Sequence, residues 1–403
     1  MRANSVLRIA AATAIIAACA GFSASPSHPA GPRSGASATR AAPDVPAGTT
    51  PPGCSTAIAS APSLPNVRTA VLSVSGNPFG VAATADGNWA FVAVNSSVAV
   101  LSTTGFKPTL VRTIPVQGTP EGVALTPDGS YLLVASGSGA IVINVALAES
   151  GTANPVVGTL SSQGTGAIEV AFSPDSNFAF VTLEDSDEAA VYNLAKALSH
   201  GFGQSDFVGD IPLNVAPVGM AVSPDGNWLY ATSEQTTGSQ QGTLTVINLP
   251  LAETDPAGSV VTSVDAGCGA VRVITSADGS DVWVTARESD ALLLFSASAL
   301  QNNPANALVT WILVGEAPVD MALADQGTRL LVANSNRFNV QGEEADIGVV
   351  NVAAAAAGQP VEVGTIMSGL FPRQFALEAN GKTLLVSNYA SDQVEAVDVT
   401  GLP

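Results

Sequence analysis

The sequence predicts an all-β chain folded as a seven-bladed β-propeller, with four antiparallel strands in each blade. Three observations carry this. A phrase returns seven times: GNPFGVAATADG from Gly76, GTPEGVALTPDG from Gly118, GAIEVAFSPDS from Gly166, APVGMAVSPDG from Ala216, GAVRVITSADG from Gly269, APVDMALADQG from Ala317 and LFPRQFALEANG from Leu370. The turn positions Gly87, Gly129, Ser176, Gly226, Gly279, Gly327 and Gly381 lie 42 to 54 residues apart, the length of a propeller blade. Each unit holds four short apolar runs, too short and too β-branched for helices of ordinary length. Tandem sandwiches, the other all-β arrangement, would show no blade-length period.

The elements follow in order. The opening run, such as Gly80-Val81-Ala82-Ala83, is built of small residues. A tight turn follows: Ala85-Asp86-Gly87, Pro127-Asp128-Gly129 and Pro224-Asp225-Gly226. Asp-Gly between apolar runs marks a hairpin, because Gly adopts positive φ at little cost and Asp tolerates it. The second run is Trp89 to Ala93 in the first unit and Trp228 to Thr232 in the fourth. The third is Val98 to Leu101, Leu244 to Ile247 or Val394 to Val397, and the fourth is Leu110 to Ile114 or Val309 to Leu313. The last unit stops after its third strand, whereas a spare strand, Thr69 to Val74, precedes the first. Pairing the two closes the ring and removes two exposed edges.

These units resemble the YVTN-type β-propeller repeat. Pro120 to Gly129 and Pro217 to Gly226 carry its opening, and Val246-Ile247-Asn248 and Val349-Val350-Asn351 its third strand. The resemblance spans about Thr69 to Thr400. It implies a seven-bladed fold and leaves function open. Such propellers include exported and cell-surface proteins, interaction modules, and relatives called lactonase-like by similarity to a phosphogluconolactonase. Units three and six depart from the pattern, with Asp175-Ser176 and Gln326-Gly327 in place of Asp-Gly, and weaker turns are expected there.

Three segments are expected. Residues 1–19 read as a signal peptide, with Arg2 and Arg8 before an apolar stretch from Ile9 to Ala18. Ile16-Ala17-Ala18-Cys19 has the shape of a lipoprotein cleavage box, which would make Cys19 a lipidated first residue. Ordinary cleavage near Cys19 is the alternative. Residues 20–66 are rich in Ala, Ser, Pro and Gly and read as a disordered tether. Residues 67–403 form the propeller. In an exported chain Cys54 and Cys268 are either a disulfide or two thiols. The chain is expected to be extracellular or in the cell envelope, touching membrane only through a lipid anchor.

Charge narrows the partners. Of 14 Lys and Arg, four (Arg2, Arg8, Arg33 and Arg40) precede the first acid, Asp44, so ten bases face 33 acids beyond it. That balance repels nucleic-acid backbones and anionic lipid. With two histidines, His28 and His200, a His-based metal site, a haem site or a Ser-His-Asp triad is not expected. No Walker loop, Cys-x-x-Cys or His-Glu-x-x-His is present. No cofactor is expected, and a quinone or redox propeller is the weakest reading. A monomer is expected, with a small anionic ligand or an unknown protein as its partner.

Aligning the units isolates two rings at one mouth of the central channel. The first reads Gly80, Gly122, Glu169, Gly219, Arg272, Asp320, Gln374; the second reads Asn95, Gly137, Glu184, Glu234, Arg287, Ser335, Tyr389. The glycines suit strands converging on an axis. The polar departures do not follow from that taper. Arg272, Arg287, Arg337 and Arg373 belong to units five to seven, opposite Glu169, Glu184 and Glu234 in units three and four. An arginine fork suits carboxylates and phosphates. The mouth therefore reads either as a binding site, with Glu169, Arg272, Asp320, Gln374, Arg287, Arg373, Glu234 and Tyr389 as its residues, or as structural ion pairing, for instance Arg272 with Asp320. Two long loops, Ser233 to Thr243 and Asn334 to Gly348, border this face. The leading functional expectation is a non-catalytic binding or scaffold module. The alternative is a lactonase-like hydrolase of a sugar lactone, with Arg272 or Arg373 polarising the carbonyl and Glu169 or Asp320 activating water.

Overall fold

The computed structural model describes residues 50–54, 58–357, 359 and 362–403. The expected signal peptide, Cys19, and residues 20–49 and 55–57 of the expected tether lie outside the described residues. Seven sheets of four antiparallel strands form the propeller. The innermost strands are Val81–Ala83, Val123–Leu125, Ala167–Phe172, Val215–Val222, Ala270–Thr275, Pro318–Ala324 and Pro372–Leu377. The seventh sheet takes its outermost strand from the other end of the chain. Thr69–Ser73 runs antiparallel to Gln393–Asp398, from Thr69 opposite Val397 to Ser73 opposite Gln393.

The core is a set of wedges between blades. Seven buried apolar clusters match the seven blade junctions, and one of them joins Leu385, Val394 and Ala396 of the last blade to Val81, Val92 and Ala99 of the first. Phe91, Phe180, Trp283 and Phe295 are fully buried between blades. Each such side chain contributes about 1.5–3 kcal/mol through burial.

The repeated turn is held by a side-chain network. Thr84 donates its hydroxyl to Asp86 Oδ1 at 2.5 Å, and Trp89 N donates to Thr84 Oγ1 at 3.1 Å. The same pair of bonds recurs at Thr126/Asp128, Ser173/Asp175, Ser223/Asp225 and Ser276/Asp278. Unit three keeps this network, and Ser176 takes the left-handed conformation (φ 62°) that glycine supplies at Gly87 (φ 71°). Unit six lacks the hydroxyl and turns through three left-handed residues, Asp325, Gln326 and Gly327.

Short helices follow the third strand in blades two to six. They are Val145–Glu149, Leu194–His200, Leu249–Ala252, Ala297–Asn302 and Val352–Ala356. Asn144, Asn193, Asn248 and Asn351 cap four of them, each side chain accepting from a backbone N–H three residues on. The asparagine that ends the third strand in the repeat is thus a helix cap. His200 closes the second helix and is exposed.

Residues 58–66, which composition assigns to the tether, lie against blades five and six. Ala59 N donates to Val314 O at 2.8 Å and Leu64 N to Thr365 O at 2.7 Å. Leu64 and Val67 pack into the junction of blades six and seven, so this stretch has apolar side chains to bury after all. Leu64 sits where a Cβ on Gly364 would lie, 2.5 Å from its Cγ. Cys54 and Cys268 are joined by a disulfide.

Candidate functional site

Innermost strands of neighbouring blades approach to backbone contact. A Cβ on Gly122 would lie 2.3 Å from Ile168 O, and one on Gly219 2.3 Å from Val271 O. The innermost strands are irregular at this ring: Glu169, Arg272 and Asp320 fall within register shifts against the second strand, as do Val218, one residue before Gly219, and Arg373, one residue before Gln374. Such a bulge places two consecutive residues opposite one, so both can face the axis. Accordingly Ile168, Val218 and Val271, each one residue before the ring, gather with Phe79 in one buried cluster although they come from four blades.

Inside that axis Arg272 Nη2 contacts Glu169 Oε2 at 3.0 Å, and Arg272 Nη1 donates to Val218 O at 3.2 Å. Glu169 belongs to blade three and Arg272 to blade five, so the contact skips a blade. The expected partner, Asp320, instead accepts from Phe375 N at 2.7 Å and Met321 N at 2.9 Å. It acts on the same arginine through its charge. Burial pushes Glu169 up to about 7 against the pull of Arg272, with Asp320 adding to the rise. Burial likewise raises Asp320 to about 6, opposed by Arg272 and by its two backbone donors. Glu169 Oε2 and Arg272 Nε make no hydrogen bond.

The second pair is of another kind. Arg287 Nη1 and Nη2 donate to Glu234 Oε1 and Oε2, both at 2.7 Å. Burial opposes ionisation of Glu234, but the Arg287 charge and its hydrogen bonds hold the carboxyl below the usual range. Glu234 lies on a strand longer than the loop reading assumed. Trp228–Gln235 and Gln241–Asn248 extend through most of Ser233 to Thr243 and leave a short turn between them.

Arg373 and Arg337 complete the mouth. Arg373 Cζ lies 3.5 Å from the Phe79 ring centroid, 5.4 Å from that of Phe371 and 5.6 Å from that of Tyr389. Arg337 Cζ lies 5.3 Å from the Phe371 centroid and 5.9 Å from that of Phe338. Its loop is braced by Asn336, which donates to Glu343 O at 2.7 Å and accepts from Val340 N at 2.9 Å. Among the described residues, neither guanidinium donates a hydrogen bond, and the ion pairs are the two already described. Burial lowers Arg373 to about 9 against the opposing charge of Glu121, with Arg337 and Arg272 adding to the fall. Burial and Arg287 lower Arg337 to about 10. Glu121 is raised to about 7 by burial, against Arg373 and with Glu184 adding.

The structure thus brings together Glu169, Arg272 and Asp320 on the axis, and Glu234 with Arg287 at the rim. Arg373 and Tyr389 form a third group. Gln374 N donates to Ser387 Oγ at 3.0 Å, and its buried Oε1 has no hydrogen bond. Glu121, Phe79 and Phe371 also belong to the mouth, although the two rings omit them. Among the described residues, no three His, Cys, Asp or Glu side chains converge on a metal position.

A seven-bladed propeller with a charged, aromatic mouth is the class of molecule that fold and site define. A family model described as "Lactonase, 7-bladed beta-propeller" matches residues 169–346, from the third blade into the sixth. No curated protein matches the chain. Among solved structures it is similar to hydrazine synthase of Kuenenia stuttgartiensis, with a TM-score of 0.63 and 17% identity over 82% of this chain and 97% of that one. It is also similar to a functionally unknown protein of Desulfotomaculum acetoxidans, with a TM-score of 0.55 and 15% identity over 73% and 86% of the two chains. At these identities the likeness is one of fold.

Proposed function

We propose that the chain is an exported propeller that binds an anionic ligand or partner at its channel mouth without transforming it. One observation carries this reading: Arg337 and Arg373 have no carboxylate within ion-pair distance among the described residues, whereas Arg272 and Arg287 each have one. Both guanidiniums are half-buried, so their unused donors are partly stripped of water and open to an anionic acceptor. The basic, apolar leader supports export, and mass spectrometry of the mature N-terminus would distinguish a lipidated Cys19 from simple cleavage. The binding test is calorimetric titration of the full chain with small carboxylates and inorganic phosphate. Wild type is expected to bind at least one, and Arg337→Gln/Arg373→Gln to weaken it about tenfold or more. Absence of binding by wild type would sink the reading.

A second reading, a lactonase-like hydrolase, draws support from the family match over residues 169–346 and from Glu121. Burial pushes that carboxyl up to about 7 against the charge of Arg373, which suits a base acting on water near neutral pH. The Arg272–Glu169 contact weakens the version built on those two residues, because they occupy each other. Turnover of a sugar lactone by wild type, abolished in Glu121→Gln, would favour this reading over the first.

A further inference from the structure

We infer that the mouth takes a carboxylate carried on a flat aromatic ring, with Arg337 and Arg373 holding the carboxylate and Phe79, Phe371 and Tyr389 bordering the ring. The inference rests on the binding reading above and names the ligand class for that site.

Three independent features point the same way. The first is the direction in which donors remain. Phe79 covers a face of the Arg373 guanidinium at 3.5 Å, so its N–H groups remain available in the plane of the fork. Nε is buried, so the two Nη groups are the donors left to a ligand, and an in-plane pair of them matches the two oxygens of a carboxylate. The second is the aromatic wall. Phe371 and Tyr389 have ring centroids 5.5 Å apart, and Phe79 meets Tyr389 edge-on at 6.3 Å. Three rings from the first and last blades thus border the same guanidinium, and ring-on-ring contact is favourable beyond simple burial. Leu370, next to Phe371 in sequence, is 62% exposed.

The third feature is the side chain at the strand entry. The residue entering each innermost strand is Asn77, Thr119, Gly166, Ala216, Gly269, Ala317 or Phe371. Phe371 is the only large side chain in this series, and it holds a left-handed backbone at φ 54°. The left-handed backbone recurs at Asn77, Gly166, Ala216, Gly269 and Ala317, so the repeat sets it, and what the last blade adds is a large aromatic side chain at that turn. Charge supports a monoanion over a phosphate dianion, because Glu121 acts on Arg373 and Glu184 acts on Glu121.

The test is calorimetric titration of the full chain with benzoate, its neutral isostere benzamide, and inorganic phosphate. Benzoate is expected to bind saturably, benzamide about tenfold or more weakly, and phosphate more weakly than benzoate. Arg373→Gln and Phe371→Gly are each expected to weaken benzoate about tenfold while leaving the circular dichroism spectrum unchanged. Glycine suits the left-handed backbone, so the variant's loss of binding would not reflect loss of fold. Phosphate binding more tightly than benzoate would overturn the ligand class and leave the mouth as an anion site. Failure of both anions to bind would overturn the class and the binding reading together. Benzoate binding unchanged in both variants would place it elsewhere and overturn the inference.

Discussion

Two buried glutamate–arginine contacts stand close together in this propeller, and they behave in opposite ways. Arg272 and Arg287 lie on the same hairpin of blade five. Glu234 receives two hydrogen bonds of 2.7 Å from Arg287, and its carboxyl is held below the usual range. Glu169 has one contact of 3.0 Å with Arg272, shares that arginine with Asp320, and is pushed up to about 7. Burial weighs against both acids. What separates them is saturation: two aligned donors offset the loss of water, whereas one contact divided between two acids does not. Among the described residues, Arg337 and Arg373 extend the series to no carboxylate within ion-pair distance, and burial lowers both.

The largest effect that would test this contrast comes from the saturated pair. Arg287→Ala leaves Glu234 buried without its partner and is expected to destabilise the fold by about 3–5 kcal/mol in denaturant unfolding. A loss no larger than that of an exposed arginine would erase the distinction. The unsaturated contact should register next, as pH dependence. Folded Glu169 and Asp320 keep protons that the unfolded chain releases, so their penalty is absent below about pH 4 and grows as pH rises through about 6 and 7. Thermal stability should therefore fall between about pH 4 and 7. Glu169→Gln should recover about 1–3 kcal/mol of that fall. A rise in stability over this range that the variant leaves unaltered would contradict the assignment. The smallest change is expected at the arginines without carboxylate contacts. Arg337→Gln and Arg373→Gln remove half-buried charges that repel each other but also lose contacts with Phe79 and Phe371, and the two effects should leave the unfolding free energy changed by about 1 kcal/mol or less. A cost comparable to Arg287→Ala would mean that both are structural after all.

Much of the fold is readable in the sequence because one turn chemistry repeats. The hydroxyl two residues before each Asp, visible in TPDG and SPDG, builds the network at Thr126/Asp128 and Ser223/Asp225. The spare strand at Thr69 is readable from the missing strand at the other end. The capped helices are not, because runs of four to seven residues such as Leu249–Ala252 are too short to display helical periodicity. The mouth is readable in part. Glu169, Arg272 and Asp320 stand out as departures from glycine, yet adjacency of their blades pairs Arg272 with Asp320. The bulges turn consecutive residues toward the axis, where the span from blade three to blade five is short enough for Glu169. The same bulges hide Glu121 and Phe79, which precede the ring by one residue. The position they share reads Phe79, Glu121, Ile168, Val218, Val271, Val319, Arg373, and its two charges were the available signal.

The bridge between Cys54 and Cys268 has a mechanical consequence. The strand that closes the ring, Thr69–Ser73, begins 15 residues after Cys54 and is held to the last blade by backbone hydrogen bonds and the packing of Leu72, with no covalent link of its own. Tension applied to the chain ahead of Cys54 passes through sulfur into the junction of blades four and five. The closing strand lies downstream of that junction and carries none of it. A propeller attached by its N-terminus would thus be pulled at a covalent rivet, and its seam would stay slack.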